Sequence, residues 1–129
     1  MNELRRWGRV TLIAALVAVA AAAGGALEGK RFAGETGEAG KTKGDPEEFV
    51  FADGKFDPLA CHQYGFAATP YSARPEGDAV AFEAEHGNAK GERMRWVGTV
   101  RGDRLEGTMT YWDAERQASE YWFKATLAK

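Results

Sequence analysis

The chain reads as an all-β protein, a small antiparallel up-and-down β-barrel of about 7–8 strands, preceded by an N-terminal signal-peptide helix. Three observations predict this. From Val80 to Leu127 apolar and polar side chains alternate with the period of a half-buried strand. Turn signals punctuate the chain at strand-length intervals: Asp53-Gly54, Pro75-Glu76-Gly77-Asp78, Gly87–Gly91 and Gly102-Asp103. Ahead of them all stands a basic, then apolar, then small-residue segment.

That first segment is residues 1–26. Arg5, Arg6 and Arg9 face a single acid, Glu3, and Val10–Ala26 carries no charge. This is the make-up of a secretory signal peptide, with cleavage after Ala23 or Ala26. The apolar run falls short of the ~20 residues a spanning helix wants, and its alanines insert weakly, so membrane attachment is expected only if the segment is retained. Gly8 and Arg9 stand where a twin-arginine signal wants hydrophobic residues, and no cysteine follows for lipidation. Residues 27–129 then form one domain, long enough for a single core. The chain's formal charge of −2 becomes more negative without the basic leader. With no Lys/Arg run outside that leader, nucleic acid is not an expected partner. The destination is the periplasm or the exterior. Cys61 is the single cysteine, so no intramolecular disulfide can form there.

The elements follow in order. A first strand is read near Glu28–Thr36, then a glycine-rich loop to Pro46. Glu47–Ala52 places Phe49 and Phe51 on one face. Asp53-Gly54 is a favoured two-residue hairpin turn because both residues tolerate positive φ. Pairing Ala52 with Lys55 across it sets Phe51 opposite Phe56. Asp57–Gly65, starting at Pro58, is an irregular or one-turn helical connection holding Cys61 and His62. Phe66–Arg74 resumes as a strand that Pro70 restricts to an edge or bulge. The turn at Pro75–Asp78 leads into Ala79–His86 and the remaining strands.

Register can be read on the last strands. Pairing His86 with Glu92 sets Phe82 opposite Trp96 inside, and Glu83 opposite Arg95 and Glu85 opposite Arg93 outside. Pairing Arg101 with Arg104 sets Val100 opposite Leu105, Trp96 opposite Met109, Gly98 opposite Gly107 and Arg93 opposite Trp112. A slip by one residue would turn every side chain to the wrong face, so this agreement is informative. The inward set is Phe32, Phe49, Phe51, Val80, Phe82, Ala84, Met94, Trp96, Val100, Leu105, Met109, Tyr111, Tyr121, Phe123 and Leu127.

Gly29-Lys30-Arg31-Phe32 opens the first strand, and Trp96-Val97-Gly98-Thr99-Val100 runs through Gly102-Asp103 to Leu105-Glu106-Gly107-Thr108. On these segments the chain resembles the small lipocalin-like and avidin-like barrels of secreted bacterial proteins. The segment Gly29–Leu127 as a whole is similar to uncharacterised secreted bacterial proteins of this size. The resemblance implies a barrel fold. Gly29–Arg31 lacks the Gly-x-Trp that opens true lipocalins, and neither family's ligand is carried over.

Candidate sites are a barrel mouth, an outer face and a Cys-His pair. Inward groups this bulky favour a self-packed lumen, with a small cavity at one mouth as the alternative. Tyr71, Tyr111 and Tyr121 would give such a mouth apolar walls and hydroxyl handles, with His86 beside them. On the outside, Trp112 and Trp122 flanked by Arg93, Arg95 and Lys124 have the make-up of a protein-contact surface. The competing reading has a loop covering these rings, or Arg93 stacking on Trp112. Cys61-His62 lacks the oriented base that a catalytic thiol needs, so a buried cysteine beside an exposed histidine is expected. One Cys and two His without ligand spacing make no metal motif, and no cofactor is expected. The acids show no carboxylate pair on the inner face, so acid/base glycosidase chemistry has no foothold.

The sequence thus points to a secreted or periplasmic binding protein with no enzymatic activity. The expected partner is a small apolar or amphipathic ligand at the mouth. The alternative is an envelope protein, as for an inhibitor of an envelope hydrolase, held by the Trp/Arg face.

Overall fold

A computed structural model describes residues 25–129. Residues 1–24, most of the 1–26 segment read as a signal peptide, lie outside the described residues. Eight strands run in chain order around a closed antiparallel barrel. They are β1 (Arg31–Glu38), β2 (Asp45–Ala52), β3 (Lys55–Pro58), β4 (Thr69–Glu76), β5 (Ala79–Gly87), β6 (Arg93–Arg101), β7 (Arg104–Trp112) and β8 (Ala118–Leu127). A 3-10 helix, Leu59–Tyr64, joins β3 to β4. Closure comes from β1 pairing with β8, Phe32 opposite Leu127 and Glu38 opposite Tyr121. Among the described residues no helix is long and apolar enough to cross a membrane.

Parity holds nearly throughout. Phe32, Phe49, Phe51, Phe56, Phe82, Trp96, Leu105 and Phe123 are buried inside. Their rings touch one another: Phe49 lies 5.4 Å from Phe123 and 5.8 Å from Trp96, and Phe82 lies 5.0 Å from Phe51 and 5.1 Å from Phe56. Most of these contacts are tilted or edge-on, which aligns ring edges with the negative faces of neighbours. Leu27, buried ahead of β1, joins the same cluster. The Gly29 amide donates to the Phe51 carbonyl, and the Phe51 amide to the Lys30 carbonyl, extending the β1–β2 ladder toward it.

The hairpin between β2 and β3 is as expected: Phe51 faces Phe56, and Asp53 and Gly54 sit at φ 55° and 73°. The β6–β7 register is also as read, with Val100 opposite Leu105, Trp96 opposite Met109 and Arg93 opposite Trp112. Gly98 and Gly107 face each other beneath the Phe123 ring. A Cβ on Gly107 would lie 2.7 Å from Phe123 Cζ and 2.1 Å from the Val97 carbonyl oxygen. Only glycine lets β6, β7 and the ring approach this closely.

The structure corrects four details. The β5–β6 register is shifted by two residues, so Trp96 faces Ala84, Phe82 faces Gly98, and Arg95 faces Glu85. The cause is Asn88. Its Oδ1 accepts the Lys90 and Glu92 backbone amides, while its backbone N–H donates to the Glu92 carbonyl, closing a tighter turn than the glycines announce. A shift of two preserves every face. Arg93 and Arg95 still reach Glu85 and Glu83, each at 2.8 Å, now along the diagonal. Leu127, expected inside, is 37% exposed at the end of β8. Finally, β1 begins and ends later than expected, at Arg31 and Glu38. β4 likewise starts only at Thr69 and continues through Pro75 to Glu76, which leaves Phe66 to pack from the loop.

Phe82 is 2% exposed and touches Phe51, Phe56 and Phe123. Phe82→Ala should therefore cost about 3–5 kcal/mol, the usual loss on emptying an aromatic core site. Denaturant unfolding measures it, and a wild-type midpoint would contradict the inward assignment.

Candidate mouth cavity

The aromatic filling stops before the barrel does. At the end that carries the 3-10 helix and the 88–92 turn lies a cavity of about 840 Å³. It is lined by Trp96, Met94 and Met109, by Tyr111 and Tyr121, and by Glu47 and Cys61. Lys41 and Lys43, from the β1–β2 loop, stand exposed at its rim.

Glu47 is 6% exposed and points inward, two residues before Phe49 on β2. Its Oε1 accepts the Ala60 amide at 2.7 Å and the Glu48 amide at 2.9 Å. Ala60 is in the first turn of the 3-10 helix, whose preceding residue, Pro58, offers no side-chain cap. Glu47 thus supplies from a neighbouring strand the acceptor that a helix start lacks. Burial raises its pKa above the ordinary 4.5, and the two amides offset part of that rise. The inner face therefore carries one carboxylate, though not a pair.

Cys61 Sγ lies 3.7 Å from Glu47 Oε2 and 3.9 Å from Met94 Sδ. Burial, then the charge of Glu47, pushes its pKa up to about 12, so the thiol stays protonated and a weak nucleophile. His62 is turned outward instead, with Nε2 2.6 Å from Asp57 Oδ1. Across the cavity, the Tyr111 hydroxyl donates to Glu92 Oε2 in a short hydrogen bond, and Asn88 Nδ2 donates to Glu92 Oε1 at 2.8 Å. These bonds hold Glu92 below the usual carboxylate range and push the Tyr111 phenol up to about 12.

Two of the lining residues each carry a buried polar atom without a hydrogen-bond partner: Trp96 Nε1 and Thr36 Oγ1. Leaving a buried donor unpaired costs about 1–3 kcal/mol. Trp96 itself is 0% exposed.

Of the four residues assigned to a mouth from sequence, the structure brings Tyr111 and Tyr121 together and separates the others. Tyr71 packs edge-on against Phe51, 5.1 Å between centroids, and its hydroxyl donates to Glu28 Oε1 at 2.8 Å, beside the Asp53-Gly54 turn. Burial and that carboxylate raise its pKa. His86 is buried between Phe56 and Phe66, outside the cavity lining. Burial lowers its pKa, an effect that the Phe56 backbone offsets only in part. The register exposes the reason: inward parity brings a residue inside, but its height along the barrel decides which end it serves.

The outer tryptophans are only half exposed. Trp122 Nε1 donates to the Lys41 carbonyl at 2.8 Å, its ring lies against Gly37, and Lys124 Nζ sits 5.3 Å over it. The β1–β2 loop therefore covers this ring. Arg93 and Arg95 are engaged by glutamates. An open groove of about 790 Å³ runs beside Trp122 over Val97 and Thr108.

Sequence reasoning missed Glu47, Glu92 and the unpaired Trp96 N–H. Glu47 shares the parity of Phe49 and Phe51, and that signal was available. Comparison with protein-family models, with curated proteins and with solved structures yields no match to this chain.

Because Glu47's native pKa lies above its unfolded value, the native state binds its proton more tightly. Stability is thus lost as pH rises from below 4.5 through the raised pKa. Glu47→Gln keeps an oxygen for the Ala60 amide and removes this loss. The variant should melt above wild type at about pH 8, with the gap shrinking toward about pH 4. A gap independent of pH would contradict the burial argument.

Proposed function

We propose that this protein is a secreted, non-catalytic, lipocalin-like binding barrel that takes a small amphipathic molecule in its mouth cavity. One observation carries the reading: Trp96, whose indole N–H is buried without a hydrogen-bond partner, is among the residues lining a cavity of about 840 Å³. Binding pockets combine apolar walls with a few converging polar groups, and Met94, Met109, Tyr111 and Tyr121 supply the walls here. An acceptor atom on the ligand would pair the indole N–H and remove its desolvation penalty. The high pKa of Cys61, and the engagement of His62 with Asp57, support binding over nucleophilic chemistry. The rival protein-binding face is less well supported, since Trp122 donates its N–H to Lys41 and is covered by that loop. Secretion rests on residues 1–26, whose basic and apolar blocks have the form of a cleavable signal.

Native mass spectrometry of the protein isolated from its own cell envelope tests both parts. A chain beginning after Ala23 or Ala26, carrying an added small-molecule mass, is the expected result. Trp96→Phe, which keeps a ring and removes the N–H, should weaken retention about tenfold, the equivalent of one buried hydrogen bond. A bare chain from wild type, with a well-folded barrel, would overturn the ligand reading. A chain still starting at Met1 would overturn cleavage.

A further inference from the structure

The charges around the mouth are sorted by depth. Both lysines, Lys41 and Lys43, are exposed at the rim, as are Glu38 and Asp45. Lys41 is also held by Glu38 at 3.4 Å. The two charged side chains that reach inward are both acids: Glu47, buried, and Glu92, partly buried. Rim charges are screened by solvent, whereas charges set against a low-dielectric wall are not. A ligand entering past the rim therefore meets a negative field.

Glu47 is also incompletely satisfied. Both strong hydrogen bonds fall on Oε1, while Oε2 has the Cys61 thiol at 3.7 Å. A buried carboxylate normally gathers an opposite charge or a full set of donors. Tyr111 and Tyr121 line the same space, and aromatic π-faces attract cations. Trp96 Nε1, buried and unpartnered, points separately to a ligand atom that accepts a hydrogen bond. Neither an anion nor a pure hydrocarbon answers all three features.

We infer that the ligand class of this cavity is a small organic cation, an ammonium or alkylated ammonium, that also carries a carbonyl or hydroxyl oxygen. The cationic head lies against Glu47 Oε2 and the tyrosine faces, with Glu92 adding to the field. The oxygen accepts from Trp96 Nε1–H, and the alkyl portion packs on Met94 and Met109. This rests on the mouth-binding reading above and adds the sign of the charge to it.

Three matched probes separate the two. Butyrylcholine carries the cation and an ester carbonyl, its neutral isostere replaces the quaternary nitrogen by carbon, and heptanoate is an anion of similar length. Each is titrated into the purified protein by calorimetry, with tryptophan fluorescence as a second readout. Butyrylcholine should bind at least about tenfold tighter than either other probe, about 1.4 kcal/mol of discrimination. Glu47→Gln should reduce that preference to near unity without lowering the melting temperature. Trp96→Phe should weaken butyrylcholine and its isostere alike, since both offer the carbonyl. If the isostere or heptanoate binds as tightly as butyrylcholine, and Trp96→Phe weakens it, the cation inference is overturned while mouth binding stands. If none of the three binds, the cation inference falls and mouth binding loses its support with it.

Discussion

Interior volume governs this molecule. An eight-stranded barrel leaves a lumen about as wide as the side chains that line it, so what fills it decides whether anything else can enter. Here Phe32, Phe49, Phe51, Phe56, Phe82 and Phe123 pack with one another and, through Phe49, Phe56 and Phe123, against Trp96. The paired glycines of β6 and β7 make room for one of those rings by giving up two side chains. Beyond Trp96 the filling changes to methionines, a thiol and a carboxyl, and space opens. The cavity is the unfilled end of the core.

Glu47 links that end to the rest of the fold. It sits on the same inward stripe as Phe49 and Phe51, yet its carboxylate reaches the start of the 3-10 helix and caps it. The helix in turn places Cys61 on Met94 and ends where Asn88 reaches the Tyr64 carbonyl, so the β3–β4 connection and the β5–β6 turn are tied together. A buried acid is costly, and burial shows in its raised pKa. The same acid offers a recess otherwise lined by sulfur and aromatic groups a charge that a ligand can meet. The cap uses Oε1 and leaves Oε2 to the Cys61 thiol alone.

The two faces of the sheet also divide the labour of association. Outside, arginines and glutamates of β5 and β6 neutralise one another along diagonals, and the β1–β2 loop folds over Trp122. Exposed pairs of this kind contribute little stability, and their main effect is to keep the sheet's outer surface wet. Inside, polar atoms are few, and Thr36 Oγ1 and Trp96 Nε1 among them are unpaired. Unsatisfied groups in a packed interior mark where a protein has given up some stability, and Trp96 and Thr36, which carry two of them, are among the residues lining the cavity.

Period-two alternation was enough to determine the barrel, its antiparallel order and nearly all of its inward residues, because parity is a local property that survives any even shift in pairing. The β6–β7 register was equally readable, since a two-residue turn leaves one way to pair. What sequence could not give was height. The β5–β6 ladder moved by two residues because the Asn88 side chain folds back onto amides that no periodicity reports. Tyr71 and Tyr111 look alike in the chain, yet they bond to different carboxylates, Glu28 and Glu92, at separate places on the wall. Glu47 next to Cys61, and Trp96 with nothing on its nitrogen, arise only when strands distant in sequence close around a common axis. Local alternation dictates which way a side chain faces, and barrel closure, a long-range and collective event, dictates what it meets there.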